Sequence, residues 1–386
     1  MSVPIPCLFR SGNPERGIPQ RAPRRWAVPS IRLGSLALTV FASCALVVSS
    51  CAKPPLRIAL MTKLEAGSLV GSSEVNAAIM AVEDRGMVTK VSVVPYDDGW
   101  QPEKARKAWA QLRQDGIDLV VTSHVSTCAL AIAELAAGQD VLIFITGATT
   151  NALSGLDDES LRIVPDVAAE QDWVAAWTAA RRYSSILIVR DTENWAYTEP
   201  AFSSFSAGIG SGRLRELPIA ISSYDAAALR LAMAAEPFDL AYMLIGGYNS
   251  AAGTIAQLAR LVEPGCDVLF TPWLKTPTLV QTAGPALERA YMPAFYPPRG
   301  GNPAVDRHID RYKERFGYAP TFISLNVYAA FEVLLDGIEK GMRKPKELRG
   351  SIMGSKVPTS FGTVGFDRYG DVVRDLYMIE DIAGEF

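Results

Sequence analysis

Ser123, His124 and Ser126 place two hydroxyls and an imidazole within four residues, the residue types of nucleophilic hydrolysis. A serine nucleophile needs a base, and the base needs an orienting partner, all brought together in space. These three residues stand on what reads as one strand-end loop, and the chain contains no Gly-x-Ser-x-Gly turn. His124 and His308 are its only histidines, and no group of Cys, His and carboxylate has metal-ligand spacing. Enzyme chemistry, a cofactor and a metal are therefore not expected. The same residues suit binding better. A helix opening near Thr127 would aim its free N–H groups at this loop, a ready site for an anion. Ser126 then either touches that anion or caps the helix. His124 is either a ligand neighbour or a satisfied structural histidine.

Cys51 carries a second kind of chemistry. Leu33 to Val48 is an apolar run of 16 residues, entered from Arg24, Arg25 and Arg32, and it closes on Val48-Ser49-Ser50-Cys51. The run is shorter than the ~20 residues a spanning helix needs, and basic, apolar, small is the order of an export signal. The pattern resembles a bacterial lipoprotein signal peptide. That resemblance implies that residues 1–50 are removed and that Cys51 is lipidated. Cys44, inside the apolar run, is a weaker site of the same kind, and Arg24-Arg25-Trp26 faintly resembles a twin-arginine signal.

Residues 1–50 hold six Arg and one Glu; of the chain's 38 basic and 41 acidic residues, 32 and 40 remain, a net charge of −8. An acidic exported domain lacks the basic footprint of a nucleic-acid binder. The remaining length exceeds what one core usually serves, so two lobes are expected. Cys128 and Cys266 allow at most one bridge and read as separate buried thiols.

The elements that position these residues alternate. Leu56–Met61, Val91–Pro95, Ile117–Val121, Val141–Ile145, Ile186–Val189, Leu240–Ile245 and Val268–Phe270 read as strands. Between them, Ser73–Arg85, Pro102–Gln114, about Thr127–Ala137, Glu199–Ala207, Ala226–Ala235 and Thr254–Leu261 read as helices. Strand-helix alternation predicts doubly wound parallel sheets, whose ligands sit beyond the carboxyl ends of the strands. Those ends fall at Thr122–Thr127, Thr146–Asn151, Asp191–Tyr197, Gly246–Ser250 and Thr271–Lys275.

The strand ends carry a family resemblance. Tyr96-Asp97-Asp98 precedes a helix at Pro102. Ser123-His124-Val125-Ser126, Gly147-Ala148-Thr149, and Arg190-Asp191 with an aromatic four residues on follow in order. Gly246-Gly247-Tyr248 comes next, then Phe366-Asp367 with Gly370-Asp371. In this order they resemble the branched-chain amino-acid class of solute-binding proteins of ABC transporters, the type I periplasmic-binding fold, over nearly all of residues 56–380. The resemblance implies two α/β lobes joined by a three-strand hinge. Lobe 1 would hold residues 51–165 and 295–361, and lobe 2 residues 166–294 and 362–386.

It also implies a small carboxylated ligand, an ABC-type permease as partner, attachment to the membrane through Cys51, and a monomer. Ser126, Gly147, Ala148 and Thr149 match the positions that grip the ligand's carboxylate and amine on lobe 1. Trp195 and Tyr248 match an aromatic and a tyrosine on lobe 2. The acid that meets a ligand ammonium falls on Trp273. An ammonium stripped of water without a counter-charge is costly, so an aromatic or aliphatic acid fits this departure better than a simple α-amino acid. Each tryptophan reads alternatively as core packing, which is the expectation for Trp173 and Trp177. Asp97 and Asp98 could supply an acid, or bond local backbone N–H groups. A ligand-free interaction lipoprotein of the same fold, regulating a cell-envelope enzyme, is the competing reading.

Overall fold

Runs of β-branched and aliphatic residues, buried on both faces, make the strands of two sheets. The computed structural model describes residues 54–65, 69–123, 125–247 and 250–386. Cys51, His124 and Tyr248 lie outside them. Strands β1 (Leu56–Thr62), β2 (Val91–Asp97), β3 (Leu119–Thr122), β4 (Leu142–Ile145) and β5 (Ser160–Arg162) form a parallel sheet in the order β2-β1-β3-β4-β5. Helices α1 (Leu69–Asp84), α2 (Pro102–Gln114) and α3 (Ser126–Ala136) connect them.

After α4 (Val167–Arg181), a second sheet is built from β6 (Ile186–Asp191), β7 (Leu214–Ile219), β8 (Leu240–Leu244), β9 (Asp267–Phe270) and β10 (Ala290–Ala294). Helices α5 (Trp195–Ile209), α6 (Ala226–Met233), α7 (Ala251–Val262) and α8 (Pro277–Ala283) alternate with these strands. The chain then returns to the first sheet with α9 (Pro303–Phe316), α10 (Phe322–Glu339) and α11 (Pro345–Ile352). A small antiparallel sheet follows, made of β11 (Lys356–Thr359), β12 (Gly362–Phe366) and β13 (Val372–Val373). Last, β14 (Tyr377–Ile379) pairs antiparallel with β10 at the end of the second sheet, whose order is β14-β10-β9-β8-β6-β7. The expected boundary between residues 361 and 362 falls inside the small sheet, and the last crossing lies beyond Val373.

The inner strands β3, β4 and β8 are continuous apolar runs because both of their faces are covered. In β1, Ile58 and Leu60 enter one core and Ala59 and Met61 another; in β6, Ile186 and Ile188 separate from Leu187 and Val189 in the same way. The cluster containing Ile58 and Leu60 also contains Ile186 and Ile188, so one apolar core runs through both lobes. Pro95 in β2 and Pro218 in β7 are both on edge strands, where the ladder does not need their N–H. Cys128 and Cys266 are separate buried thiols.

Three stretches carry the chain between the sheets, at 163–166, 295–302 and 374–376. Arg374, in the third, donates to the Ile163 carbonyl of the first at 3.1 Å and to the Phe295 carbonyl of the second. Its guanidinium also lies 4.3 Å from the Tyr296 ring centre. Beside it, buried Arg162 in β5 bonds Asp371 at 2.7 and 3.0 Å and the Thr150 carbonyl at 2.9 Å. Gly370 makes this approach possible. It has φ +93°, and a Cβ there would come within 2.5 Å of Leu161.

Arg374→Met removes both crossing bonds and should cost about 1.5–3 kcal/mol, the worth of hydrogen bonds to a charged group. Arg368→Met, whose exposed guanidinium meets the neighbouring Tyr369 ring and hydroxyl, should stay within about 0.5 kcal/mol of the parent. Urea unfolding of the two variants measures the difference.

Candidate functional site

The carboxyl ends of both sheets face one another across a cleft. Its inner neck, about 10 Å³, is lined from lobe 1 by Trp100, Ser123, Val125, Ser126, Gly147 and Thr149, with Ile323 from α10. Lobe 2 supplies Asn194, Tyr197, Gly246, Gly247 and Trp273. The neck opens into a mouth of about 350 Å³ that adds Asp191, Glu193, Trp195 and Ile221. The neck has room for roughly one water, whereas the mouth has the size of a small-molecule pocket, roughly 300–1,000 Å³.

On lobe 1, helix α3 begins at Ser126, with Val125 in the capping position. The hydroxyl of Ser126 is therefore not the helix cap. The N–H groups of Cys128 and Ala129 return to the Val125 carbonyl. That leaves the N–H groups of Ser126 and Thr127 as the open donors of the first turn. Thr149, only 1% exposed, has a hydroxyl with no partner among the described residues. Gly147 lines the neck, while Ala148 turns into the core. Ser123 and Thr62 both donate their hydroxyls to the carboxyl of Glu74, which is fully buried. Burial, opposed by those two bonds, pushes Glu74 up to about 8.

Lobe 2 repeats the device. Tyr197 donates its hydroxyl to Glu170 at 2.9 Å, Gln171 donates to the same oxygen at 2.9 Å, and Tyr242 donates to Gln171 at 3.0 Å. Burial pushes Glu170 up to about 8 as well. Each lobe thus presents a hydroxyl to the neck and hides a carboxyl behind it. Trp273, 4% exposed, packs edge-on against Tyr197, Phe295 and Phe322 at 5.7–6.2 Å between ring centres. It is at once core and cleft wall. Trp195 is 52% exposed and lines the mouth but not the neck.

Trp100, absent from the sequence-level site, lines both neck and mouth. It has φ +54°, a left-handed conformation unusual for a bulky residue. The Asp98 carboxylate holds it there by accepting its N–H at 3.0 Å, and Asp97 accepts the N–H groups of Gly99 and Leu64. The paired acids thus serve the loop backbone. Across the cleft, Gly247 (φ +96°) has no side chain, and a Cβ there would lie 3.5 Å from the Trp100 ring. Lobe 1's indole therefore reaches the backbone of lobe 2. Asn194 and Tyr197 also escaped the sequence reading, although both lie within the strand-end stretch Asp191–Tyr197. Trp173 and Trp177 pack partly buried against the core; Trp177 meets Tyr291 at 4.9 Å and carries Arg181 on its face.

The two glutamic acids make stability pH-dependent. The unfolded chain releases these protons near 4.5, while the native state keeps them until about 8. The native state therefore holds more protons in that window, and stability falls as pH rises through it. Glu170→Gln keeps the shape and removes the titration. Its melting temperature should gain on the parent's steadily from about pH 4.5 to about pH 8. A constant difference would mean that Glu170 is ionised throughout.

Residues 55–383 match the periplasmic binding protein family. The Leu/Ile/Val-binding protein BraC3 of Rhizobium johnstonii is 24% identical over 302 residues, which cover 75% of this chain and 80% of that protein. The leucine-binding protein LivK of Thermotoga maritima superposes with a TM-score of 0.72 at 20% identity, covering 84% of this chain and 94% of the other. A solute-binding protein of an ABC transporter from Rhodopseudomonas palustris, in complex with 3,4-dihydroxybenzoic acid, gives 0.76 at 17% identity, covering 84% and 93%. With two parallel-sheet lobes, a three-strand hinge and a cleft at the strand ends, the chain belongs to the periplasmic binding protein family.

Proposed function

We propose that this protein is an extracytoplasmic lipoprotein that binds a small carboxylated solute between its lobes and delivers it to an ABC-type importer. The observation that carries the reading is the lobe 1 wall of the neck. There the N-terminus of α3 and the partnerless Thr149 hydroxyl converge in a site shielded from water. Helix N-terminal donors and a hydroxyl are the groups that hold a carboxylate. Ser126, Gly147 and Thr149 grip that end. Trp273 walls the far side of the neck, and Trp195 flanks the ligand's body at the mouth; Tyr248, next in sequence to Gly247, is the tyrosine the family resemblance implies. Ala148 contributes through the backbone of its turn. Lobe closure about the three crossings is the accompanying motion. The related proteins named above are binders of branched-chain amino acids or an aromatic acid, and both classes carry the carboxylate this wall would hold.

Lipid on Cys51 keeps the protein at the membrane beside its permease, as a monomer without cofactor, metal or nucleic acid. The narrow neck favours a second reading, a ligand-free interaction lipoprotein that regulates a cell-envelope enzyme. Against it stands the Thr149 hydroxyl, unpartnered among the described residues, because a sealed, side-chain-filled cleft would have satisfied it.

A thermal-shift screen of amino acids, aromatic acids and short aliphatic acids tests the binding reading. A ligand at about 100 times its dissociation constant should stabilise the fold by ~2.7 kcal/mol. Ser126→Ala and Thr149→Ala should each weaken that ligand by about 1–3 kcal/mol. A folded protein with no hit favours the interaction reading. Separately, Cys51→Ser should move the protein from the membrane fraction to the soluble one, and unchanged fractionation would refute the anchor.

A further inference from the structure

Among the described residues, no side chain that lines the neck carries a charge. Behind it, Glu74 and Glu170 are buried under Ser123 and Tyr197 and held in their neutral form at pH 7, and the buried Asp98 carboxylate accepts the Trp100 N–H. At the mouth, Asp191 accepts the Glu193 N–H at 2.9 Å, and Glu193 takes both the N–H and the hydroxyl of Ser222. An ammonium beside a carboxylate seated at α3 would therefore lose water and meet no charged side chain in the described lining of the neck, while the acids of the mouth are already engaged with local donors.

Asn194 stands opposite that seat. It holds the capping position of α5, where an asparagine ordinarily bonds the helix N–H groups, yet its side chain makes no capping bond. Its Oδ1 has no partner among the described residues, and the residue is only 9% exposed. It lines both neck and mouth. Gly246 makes room for it, since a Cβ there would come within 2.5 Å of Nδ2. An acceptor left unpaired in so dry a place is costly unless a ligand donor meets it. A hydroxyl meets the amide in either orientation, because it both donates and accepts. An ammonium meets only the oxygen, and its charge stays unanswered.

We propose that Asn194 is the specificity-determining residue of the cleft and that the solute is a hydroxy carboxylic acid, its carboxylate at the N-terminus of α3 and its hydroxyl on Asn194. The proposal rests on the solute-binding reading and narrows it to acids without an ammonium. Trp100 and Trp195, both lining the mouth, suit a planar body on that acid.

The test is calorimetric titration of the purified full chain in detergent with phenyllactate, phenylalanine and phenylpropanoate, which differ only in hydroxyl, ammonium or hydrogen at one carbon. Leucine and leucic acid form a second pair. The expected result is tenfold or tighter binding of each hydroxy acid over its amino and unsubstituted counterparts. Asn194→Ala should reduce phenyllactate to the level of phenylpropanoate. Asn194→Asp should lose phenyllactate and gain phenylalanine, with circular dichroism confirming that both variants fold. Equal or tighter binding of the amino acids, binding confined to acids without a hydroxyl, or an unchanged ratio in Asn194→Ala overturns the assignment and leaves the solute-binding reading intact. Absence of binding by every acid in a folded wild-type protein overturns both.

Discussion

The guanidinium of Arg374 lies where the chain passes for the third time between its two sheets, and it donates to carbonyls of the other two passes, at Ile163 and Phe295. Backbone at such crossings has left one sheet and not yet joined the next, so its carbonyls lack ladder partners. A buried carbonyl without a donor is costly, and one arginine, with donors fixed in a planar fork, serves two of them. The cleft depends on this arrangement. Each parallel sheet delivers its functional residues at the carboxyl ends of its strands, and the crossings are what set those two rims face to face. The apolar core that contains residues of both sheets makes the same join from the inside.

Electrostatics inside the cleft follow from where its acids were placed. Glu74 and Glu170 stand one hydroxyl behind the surface of each lobe, and burial keeps them uncharged at neutral pH. The described lining of the neck therefore offers hydroxyls, an amide, indoles and helix N–H groups, and no fixed negative charge. Such a lining favours an anion at one end and a neutral body beyond it. Trp100 adds shape: its strained backbone brings an indole from lobe 1 against the side-chain-free Gly246-Gly247 turn of lobe 2.

Much of this organisation was legible in the sequence. Alternating apolar runs and helical periods gave both sheets and the strand ends that line the cleft, because strands buried on two faces leave an unbroken apolar signature. β7 escaped that reading, since Leu214–Ile219 mixes charged residues and a proline, as an edge strand permits. The first strand-end positions, Ser126, Gly147, Thr149 and Trp273, do line the neck. Trp195 stands further out, and Ala148 serves the core. Trp100 was hidden because its place depends on a left-handed backbone, which Asp98 holds by accepting its N–H. Asn194 lies within the strand-end stretch Asp191–Tyr197, but nothing in the sequence announces a capping position whose side chain makes no capping bond. Glu74 and Glu170 lie on helices among alanines and valines, where only tertiary burial reveals that they face inward.

The measurement that bears most directly on the central claim is a crystal structure of the protein grown with phenyllactate. The account predicts closed lobes with the carboxylate within hydrogen-bond distance of the Ser126 N–H and the Thr149 hydroxyl, and the ligand hydroxyl on Asn194. A ligand lying elsewhere, or a cleft filled by Trp100 with α3 and Thr149 untouched at saturating acid, would contradict it.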